Sequence, residues 1–306
     1  MTQIFPSEAA VLPGPGTAPA PAPKSPAPPR FRWMPRRLRG TNLELIIGAA
    51  VLGAIVLIAV FAPLLTPYDP TAQDLANALS GPAAAHPLGT DNLGRDTWSR
   101  LIYGARSDLG IGVLAVLFPF VLGTIVGALC GYFGGWFDTL IMRIADVVSA
   151  FPFFVLVITL VFIFGNGPMS IFLAISLVSW VAYARIVRAE TLVLRDRDFI
   201  QSCVTGGLSP ARIVVRHVLP NTATQAIVFA MSDTVGNIGV IVTLSYFGLG
   251  IIPPIPDWGQ MISDGQQFLA SGSYALVLIP GAAIVLTSLG LTFLGDGLAN
   301  SLRAKR

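Results

Sequence analysis

Residues 147–184 read VVSAFPFFVLVITLVFIFGNGPMSIFLAISLVSWVAYA and carry no charged side chain. A helix rises about 1.5 Å per residue and the hydrocarbon core of a bilayer is about 30 Å thick, so this stretch is too long for a single crossing. The turn-forming run Gly165-Asn166-Gly167-Pro168 lies near its middle and predicts a break there. The stretch therefore indicates two successive membrane spans.

The composition extends this interpretation to most of the chain. Of the 306 residues, 54% are hydrophobic and only 11% are charged, which is too few charges to cover a soluble protein of this size. Four further charge-poor segments are long enough to cross a bilayer, at residues 45–65, 108–138, 222–252 and 274–294. The sequence predicts an all-α polytopic membrane protein with six transmembrane helices.

The second span contains glycine at every fourth position. Gly123, Gly127 and Gly131 share one helical face. Small residues at this spacing allow another helix to approach closely within lipid. We expect a helix–helix contact along this face.

Basic residues indicate which ends of the spans face the cytoplasm. Six of the 19 Lys and Arg lie in residues 1–40, six lie between spans four and five, and three lie in residues 303–306. Because Lys and Arg are retained on the cytoplasmic side, both termini and residues 185–221 are expected to be cytoplasmic.

Residues 1–40 differ from the rest of the chain. They contain the Ala/Pro-rich run PGPGTAPAPAPKSPAPPR at 13–30, followed by closely spaced arginines. Such a composition cannot bury enough apolar surface to fold, which predicts a disordered or polyproline-like, basic cytoplasmic tail before a membrane domain at 41–306. A signal peptide is the alternative, but no small-residue cleavage site follows the apolar run.

Residues 198–221, DFIQSCVTGGLSPARIVVRHVLPN, show apolar residues at helical spacing in two short blocks. Gly206-Gly207 separates the blocks, and Ser209-Pro210 provides an N-cap with proline at the first helical position. Pro220 is expected to end the second helix. The pattern predicts two amphipathic helices joined by a glycine hinge. A loop lying with its basic face on the lipid headgroups is the alternative.

The same segment resembles the EAA coupling loop of permease subunits in ATP-binding-cassette (ABC) importers. The signature of that loop is E-A-A, three residues, G, about nine residues, then I-x-L-P. Gly207 stands at the signature glycine and Val218-Leu219-Pro220-Asn221 at the signature's end. Gln201-Ser202-Cys203 replaces Glu-Ala-Ala, so a salt bridge made by that glutamate is not transferred to this chain.

Two further stretches resemble one branch of these permeases, the C-type membrane subunit of dipeptide, oligopeptide and nickel importers. They are HPLGTDNLGRDTWSRLIYGARSDLGIG at 86–112 and YFGLGIIPPIPDWGQMISDG at 246–265. The closing run FLGDGLANSL at 293–302 is also similar, with Ala-Asn where Arg-Asp is usual. The resemblance spans residues 40–306 and excludes the Pro-rich tail.

The resemblance implies the type I ABC importer architecture, with a coupling loop at about 195–221, in the inner membrane of a bacterium. The expected partners are a second permease, two ATPase subunits and an extracytoplasmic solute-binding protein, with no nucleic acid. ATP and Mg would be bound by the ATPases, and neither lysine of this chain lies in a P-loop motif. The expected cargo is a di- or oligopeptide, with nickel or another small solute as the alternative.

Two other classes of function remain open at this stage. An ion-coupled secondary transporter or channel would use Asp233 as its coupling group and would need no partner ATPase. A membrane scaffold would be recruited through the tail. The sequence contains no catalytic motif, and His86 and His217 lie far from each other and from both cysteines, so neither an enzyme nor a metal site is expected.

The resemblance assigns candidate residues to two regions. The residues expected to couple to the ATPase are Asp198, Phe199, Gln201, Ser202, Cys203, Gly207, Arg212, Leu219 and Pro220. The residues expected along the translocation path or at an outer gate are Asp233, Gly248, Gly250, Pro254 and Trp258.

Three side chains carry separate expectations. Asp233 lies about eleven residues into span five, where an ionised carboxylate is costly, so it should face the pathway or a partner, or be paired near Ser232 and Thr234. Trp258 is expected to anchor the chain at headgroup depth. Arg143 and Asp146 are expected to form an ion pair three positions apart on a helix.

Overall fold

The computed structural model describes residues 43–303, and every regular element in that range is helical. The predicted tail at 1–40 lies outside the described residues. The α-helices, in chain order, are α1 Leu43–Val60, α2 Ala62–Leu65, α3 Thr97–Phe133, α4 Gly135–Ser149, α5 Phe153–Phe164, α6 Pro168–Arg195, α7 Asp198–Thr205, α8 Pro210–Ile213, α9 Leu219–Tyr246, α10 Trp258–Gln266 and α11 Ala275–Arg303.

Five helical segments of the described chain are long and apolar enough to cross a membrane: α1, α3, α6, the stretch Pro210–Tyr246 and α11. A sixth crossing is obtained if α4 and α5 together count as one span. The predicted break at 165–168 is confirmed, because α5 ends at Phe164 and α6 begins at Pro168. The all-α polytopic architecture is also confirmed.

The predicted third span is not a straight crossing. α5 has only 12 residues, and α4 and α5 meet at an angle of 89°. Pro152 explains the bend, since proline donates no backbone hydrogen bond and disfavours the helical conformation of the residue before it. A helix beginning at residue 147 therefore does not form.

Other boundaries also differ from the pattern. α3 begins at Thr97, eleven positions before Asp108, because the Asp96 side chain accepts a hydrogen bond from the Ser99 amide and caps the helix. α9 ends at Tyr246 rather than near 252, since Gly248 takes a positive φ of 76° beyond it. The apolar stretches therefore predict where the spans lie, but they do not predict the residues at which the helices begin and end.

Glycine stripes bring the long helices together. A Cβ atom at Gly123, Gly127 or Gly131 of α3 would lie 2.4–2.6 Å from atoms of α6. On the other side of the molecule, a Cβ at Gly48 of α1 would lie 2.3 Å from a backbone nitrogen of α11. The expected contact along the α3 glycine face is confirmed, and its partner is α6.

Two apolar clusters fill the space between α3, α6 and α9. One also includes residues of α5, such as Val157 and Val161. The other includes Ile200 of α7 and Ile213 of α8 together with Tyr183 of α6. The second cluster is what attaches the segment at 198–221 to the long helices.

Candidate functional site

The coupling segment has one anchored side and one free side. Ile200 of α7 is 1% exposed and packs with Tyr183 and Val187. The neighbouring hydrophobic side chains Phe199 and Val204 are 46% and 48% exposed. Candidate coupling residues on the same exposed surface are Asp198, Gln201 and Ser202, and Arg212 is exposed further along. A short helix that is fixed on one face leaves the other face available to a partner.

The glycine hinge has the hydrogen bonds of a Schellman motif. The Leu208 amide donates to the Cys203 carbonyl at 3.1 Å, and the Gly207 amide donates to the Val204 carbonyl at 3.0 Å. Gly207 adopts a φ of +76°, which side chains with a Cβ rarely tolerate. Leu208 and Cys203 are both half-buried against the same cluster. The predicted hinge is confirmed, and Gly207 is the residue whose backbone requires glycine.

Gln201, which stands where glutamate is usual, has a contact that depends on its amide. Its Nε2 donates to the carbonyl of Arg195 at 2.9 Å, at the end of α6. A carboxylate at this position has no hydrogen to donate. Ser202 donates to the Asp198 carbonyl within α7 at 2.8 Å. Gln201, which stands in place of the usual glutamate, therefore links α7 to the end of α6.

The expectation that Pro220 ends the second helix is wrong. α8 runs into a π-helical turn at Val214–Val218 and then directly into α9, whose first turn contains Leu219 and Pro220. In this turn the Leu219 amide donates a hydrogen bond to the carbonyl of Val214, five residues earlier. The widened turn accommodates the proline ring, which otherwise clashes with the carbonyl four residues earlier. Ser209 occupies the N-cap position of α8 without a side-chain capping bond.

Ion pairs join α4 to α6 near the same end of the molecule. Arg188 binds both carboxylate oxygens of Asp138, with nitrogen–oxygen distances of 2.5 and 2.7 Å. Arg185 binds Asp146 at 2.9 Å, whereas the expected pair of Arg143 with Asp146 is present only at 3.9 Å between largely exposed groups. The stronger partner of Asp146 comes from α6, which sequence spacing could not indicate.

Asp233 lies at the middle of α9 and is held by α6 and by its own helix. The Tyr183 hydroxyl donates to Asp233 Oδ2 at 2.8 Å, and Asn237 Nδ2 donates to the same oxygen at 3.1 Å. The expectation that Asp233 is paired is therefore met, but by Tyr183 and Asn237; the hydroxyl of the neighbouring Thr234 donates to the Ala230 carbonyl instead. Both donors use one oxygen and leave Oδ1 as an acceptor. Asp233 is half-buried within the described chain.

Trp258 does not anchor the chain at a lipid interface, and that expectation is wrong. Its side chain is 1% exposed, and its indole Nε1 donates to the Leu101 carbonyl of α3 at 3.0 Å. A Cβ at Gly104 would lie 3.0 Å from the ring, so glycine makes room for it. Trp258 joins α10 to α3. Of the other residues in this region, Pro254 is exposed, and a Cβ at Gly250 would collide with Ser245.

A buried charged network near α10 was missed by the sequence interpretation. Arg95 and Arg100 both bind Asp91 at 2.7 Å, and both reach Asp264 of α10, at 2.9 and 3.4 Å. Burial raises the pKa of Asp264, while Arg95 acts in the opposite direction. The arginines and Asp91 stand in the 86–112 stretch and Asp264 in the 246–265 stretch. The sequence motifs at 86–112 and 246–265 therefore contact each other in the fold.

Comparison with known proteins agrees with this arrangement. Residues 123–305 match the family described as binding-protein-dependent transport system inner membrane component, and residues 45–82 match the N-terminal TM domain of oligopeptide transport permease C. A dipeptide transport system permease protein, DppC of Alkalihalophilus pseudofirmus, is 39% identical over 264 residues, 86% of each chain. Glutathione transport system permease protein GsiD of Pectobacterium atrosepticum is 38% identical over 271 residues, 88% of this chain and 89% of its own.

The chain belongs to the family of binding-protein-dependent transport system inner membrane components, the permease subunits of ABC importers. It is accordingly a multi-pass inner membrane protein that works with ATPase and solute-binding partners. It is a permease subunit and not an enzyme, because ATP hydrolysis belongs to separate subunits of such importers. The resemblance inferred from the three sequence motifs is confirmed.

Proposed function

We propose that this chain is the C-type permease of an importer for di- or oligopeptides. The support is that its N-terminal span matches an oligopeptide permease domain and that a relative covering most of the chain is named a dipeptide permease. In this proposal it pairs with a second, different permease and with two ATPase subunits, which bind ATP and Mg. A solute-binding protein delivers the peptide from outside, and both termini lie in the cytoplasm.

The exposed face of α7 is the proposed docking surface for an ATPase subunit. The observation that carries this assignment is the contrast between buried Ile200 and exposed Phe199 and Val204 on one eight-residue helix. Because Gln201 ties α7 to α6, and α8 continues through the π turn into α9, a displacement of α7 is passed to both long helices. Closure of the ATPase pair would thereby move α6 and α9 together.

Asp233 is the proposed pathway residue of α9, and the Gly248–Trp258 stretch is the proposed outer gate. An ionisable group at mid-membrane depth marks a functional position more often than a structural one. The acceptor Oδ1 of Asp233 suits a transient contact with the charged amino group of a peptide. Gly248 follows the end of α9, Gly250 and Pro254 lie in the connection to α10, and Trp258 of α10 packs on α3.

The coupling proposal is tested by replacing Gly207 with Asp in the assembled transporter. The chain should be inserted and should assemble, because nothing lies within 4 Å of a Cβ at this position. A positive φ costs residues with a Cβ about 1–2 kcal/mol, less for Asp than for most, so the Schellman hinge should be weakened while a negative charge is added to the exposed coupling segment. We expect ATP hydrolysis without peptide uptake in proteoliposomes supplied with loaded binding protein.

Gly206→Ala is the matched control. Gly206 has an ordinary negative φ of −73° at the C-cap of α7. An added Cβ would lie 3.1 Å from the Ser202 carbonyl oxygen one turn earlier, a small adjustment, so alanine should leave uptake unchanged. Normal peptide uptake by the Gly207→Asp transporter would contradict the coupling role of this segment. Uptake by the chain reconstituted without any ATPase would contradict the proposed function itself.

A further inference from the structure

Two aspartates are buried side by side where α10 meets α3. Asp108 of α3 and Asp257, the N-cap residue of α10, are both 0% exposed. The Trp258 amide donates to Asp108 Oδ2 at 3.0 Å. That amide nitrogen lies two bonds from Asp257 Cα, about 2.4 Å away by standard backbone dimensions, so the Asp108 carboxyl group lies within about 6 Å of Asp257 Cα.

Each of these carboxyl groups has one oxygen without a hydrogen-bond partner in the described chain. The unpaired atoms are Asp108 Oδ1 and Asp257 Oδ2, and both are inaccessible to solvent. The other oxygens are satisfied, by the amide of Trp258 and by the amide of Gln260 at 3.0 Å. Two adjacent buried carboxylates cannot both be ionised without a large energetic cost.

The surrounding groups do not supply a compensating cation. Arg95 and Arg100 are bound to Asp91 and Asp264 instead, and Arg106 of α3, two positions before Asp108, has an exposed side chain whereas Asp108 is buried. Asp264 of α10 adds a further negative charge. α11 brings only the apolar side chains of Ala283 and Ile284 to the cluster that contains Trp258.

α9 contributes only neutral polar groups to the same surroundings. The Ser245 hydroxyl stabilises the ionised form of Asp257. The Tyr246 hydroxyl is hydrogen-bonded to Gln266 of α10. Neither group carries the positive charge that a second carboxylate would need.

We propose that Asp108 and Asp257 share a single proton, held between the two unpaired oxygens, and that this carboxyl–carboxylate hydrogen bond fastens α10 to α3. One proton satisfies both orphan atoms and removes one of the two buried charges. The Trp258 amide donates to the other oxygen of Asp108, so the amide and the shared proton together satisfy both oxygens of that carboxyl group.

The bond makes the attachment of α10 dependent on pH. Burial raises the pKa of Asp257 to about 6, against the opposing effect of the amides of Gln260 and Gly259. Two coupled carboxyl groups release their protons in two steps. The shared proton is the last to leave, so it persists above the pKa of Asp257 and is lost only at more alkaline pH. Without it, two like charges face each other and α10 is expected to loosen.

Infrared spectroscopy of the assembled transporter in lipid nanodiscs tests the proposal. The wild-type complex should show the carbonyl band of a buried protonated carboxyl group at mildly acidic pH, and the band should disappear at alkaline pH. Near neutral pH the band should be lost in Asp108→Asn and in Asp257→Asn, because the asparagine amide then donates to the remaining carboxyl group and keeps it ionised. Asp233→Asn, which alters a carboxyl group of α9 outside this pair, is the matched control and should keep it.

Amide hydrogen exchange of residues 258–266 provides a second measurement on the same complexes. In the wild type, exchange corrected for its intrinsic pH dependence should rise at alkaline pH. In Asp108→Asn it should stay low, because the asparagine amide donates permanently to Asp257. Asp257→Asn keeps an N-cap acceptor for Gln260 and serves if Asp108→Asn does not fold. A wild-type complex without the band, a band that survives in either asparagine variant, or equal exchange profiles would overturn the proposal.

Discussion

Gly127→Ala is expected to separate α3 from α6 at the centre of their contact. An added Cβ would lie 2.4 Å from the carbonyl oxygen of Ala184, and 3.0 Å from both Ala184 Cα and Val187 Cβ. Ordinary van der Waals contact begins at 3.4 Å. The two helices would therefore have to move apart by about 1 Å. The atoms in the way belong largely to the backbone, which cannot rotate aside as the end of a flexible side chain can.

The magnitude follows from two opposing effects. Overpacking a well-packed interior costs about 1–3 kcal/mol, and the rigid neighbours at Gly127 favour the upper end of that range. In the opposite direction, the higher helix propensity of alanine stabilises the helix by roughly 1 kcal/mol relative to glycine. We expect Gly127→Ala to lower the free energy of unfolding by about 2 kcal/mol from these two effects.

Gly110→Ala provides a control on the same helix. A Cβ at Gly110 has no neighbour within 4 Å, so only the propensity effect remains and the variant should be as stable as the wild type or up to about 1 kcal/mol more stable. Reversible unfolding of the purified chain in mixed micelles measures both variants. If their unfolding free energies agree within about 0.5 kcal/mol, the glycine face does not determine the α3–α6 distance.

Two further substitutions examine single side chains. Trp258→Phe removes the buried indole Nε1 donor and part of a large buried ring, while the Leu101 carbonyl keeps its helical hydrogen bond within α3. The lost bond and the unfilled volume should cost about 1–3 kcal/mol of unfolding free energy. Trp136→Phe, at a 77% exposed side chain, should change it by less than about 0.5 kcal/mol; equal small effects in thermal unfolding would contradict the buried role of Trp258. Asp233→Asn retains an acceptor oxygen for Tyr183 and Asn237, so the transporter should assemble and hydrolyse ATP normally while peptide uptake in proteoliposomes falls; unchanged uptake would assign Asp233 a purely structural role.

Several features of the candidate site could be predicted from local sequence alone. The hinge at Gly206-Gly207 and the helical spacing before it are short-range properties, because a Schellman motif involves only six consecutive residues. The glycine face of α3 is likewise visible as a spacing of four. In each case the deciding atoms lie within two helical turns of one another.

Features that depend on distant residues were not predictable in the same way. Arg100 and Asp264 are 164 positions apart and Asp108 and Trp258 are 150 apart. From sequence alone, Trp258 is typical of an interfacial anchor. Only the fold shows that Gly104 of α3 makes room for its ring. Pro220 would end an isolated helix, but the packing of Val214 and Val218 in the core keeps a π turn in place before it.

The amino-acid sequence by itself determined that this chain is a helical membrane protein with a glycine-hinged segment of the ABC permease type, because apolar length and backbone conformation are properties of neighbouring residues. Only the tertiary structure decided which face of α7 is free, which arginine holds Asp146, and that two aspartates from different motifs meet out of contact with solvent. These features depend on the angles and distances between helices. Such geometry results from packing the whole membrane domain at once, and no single segment encodes it.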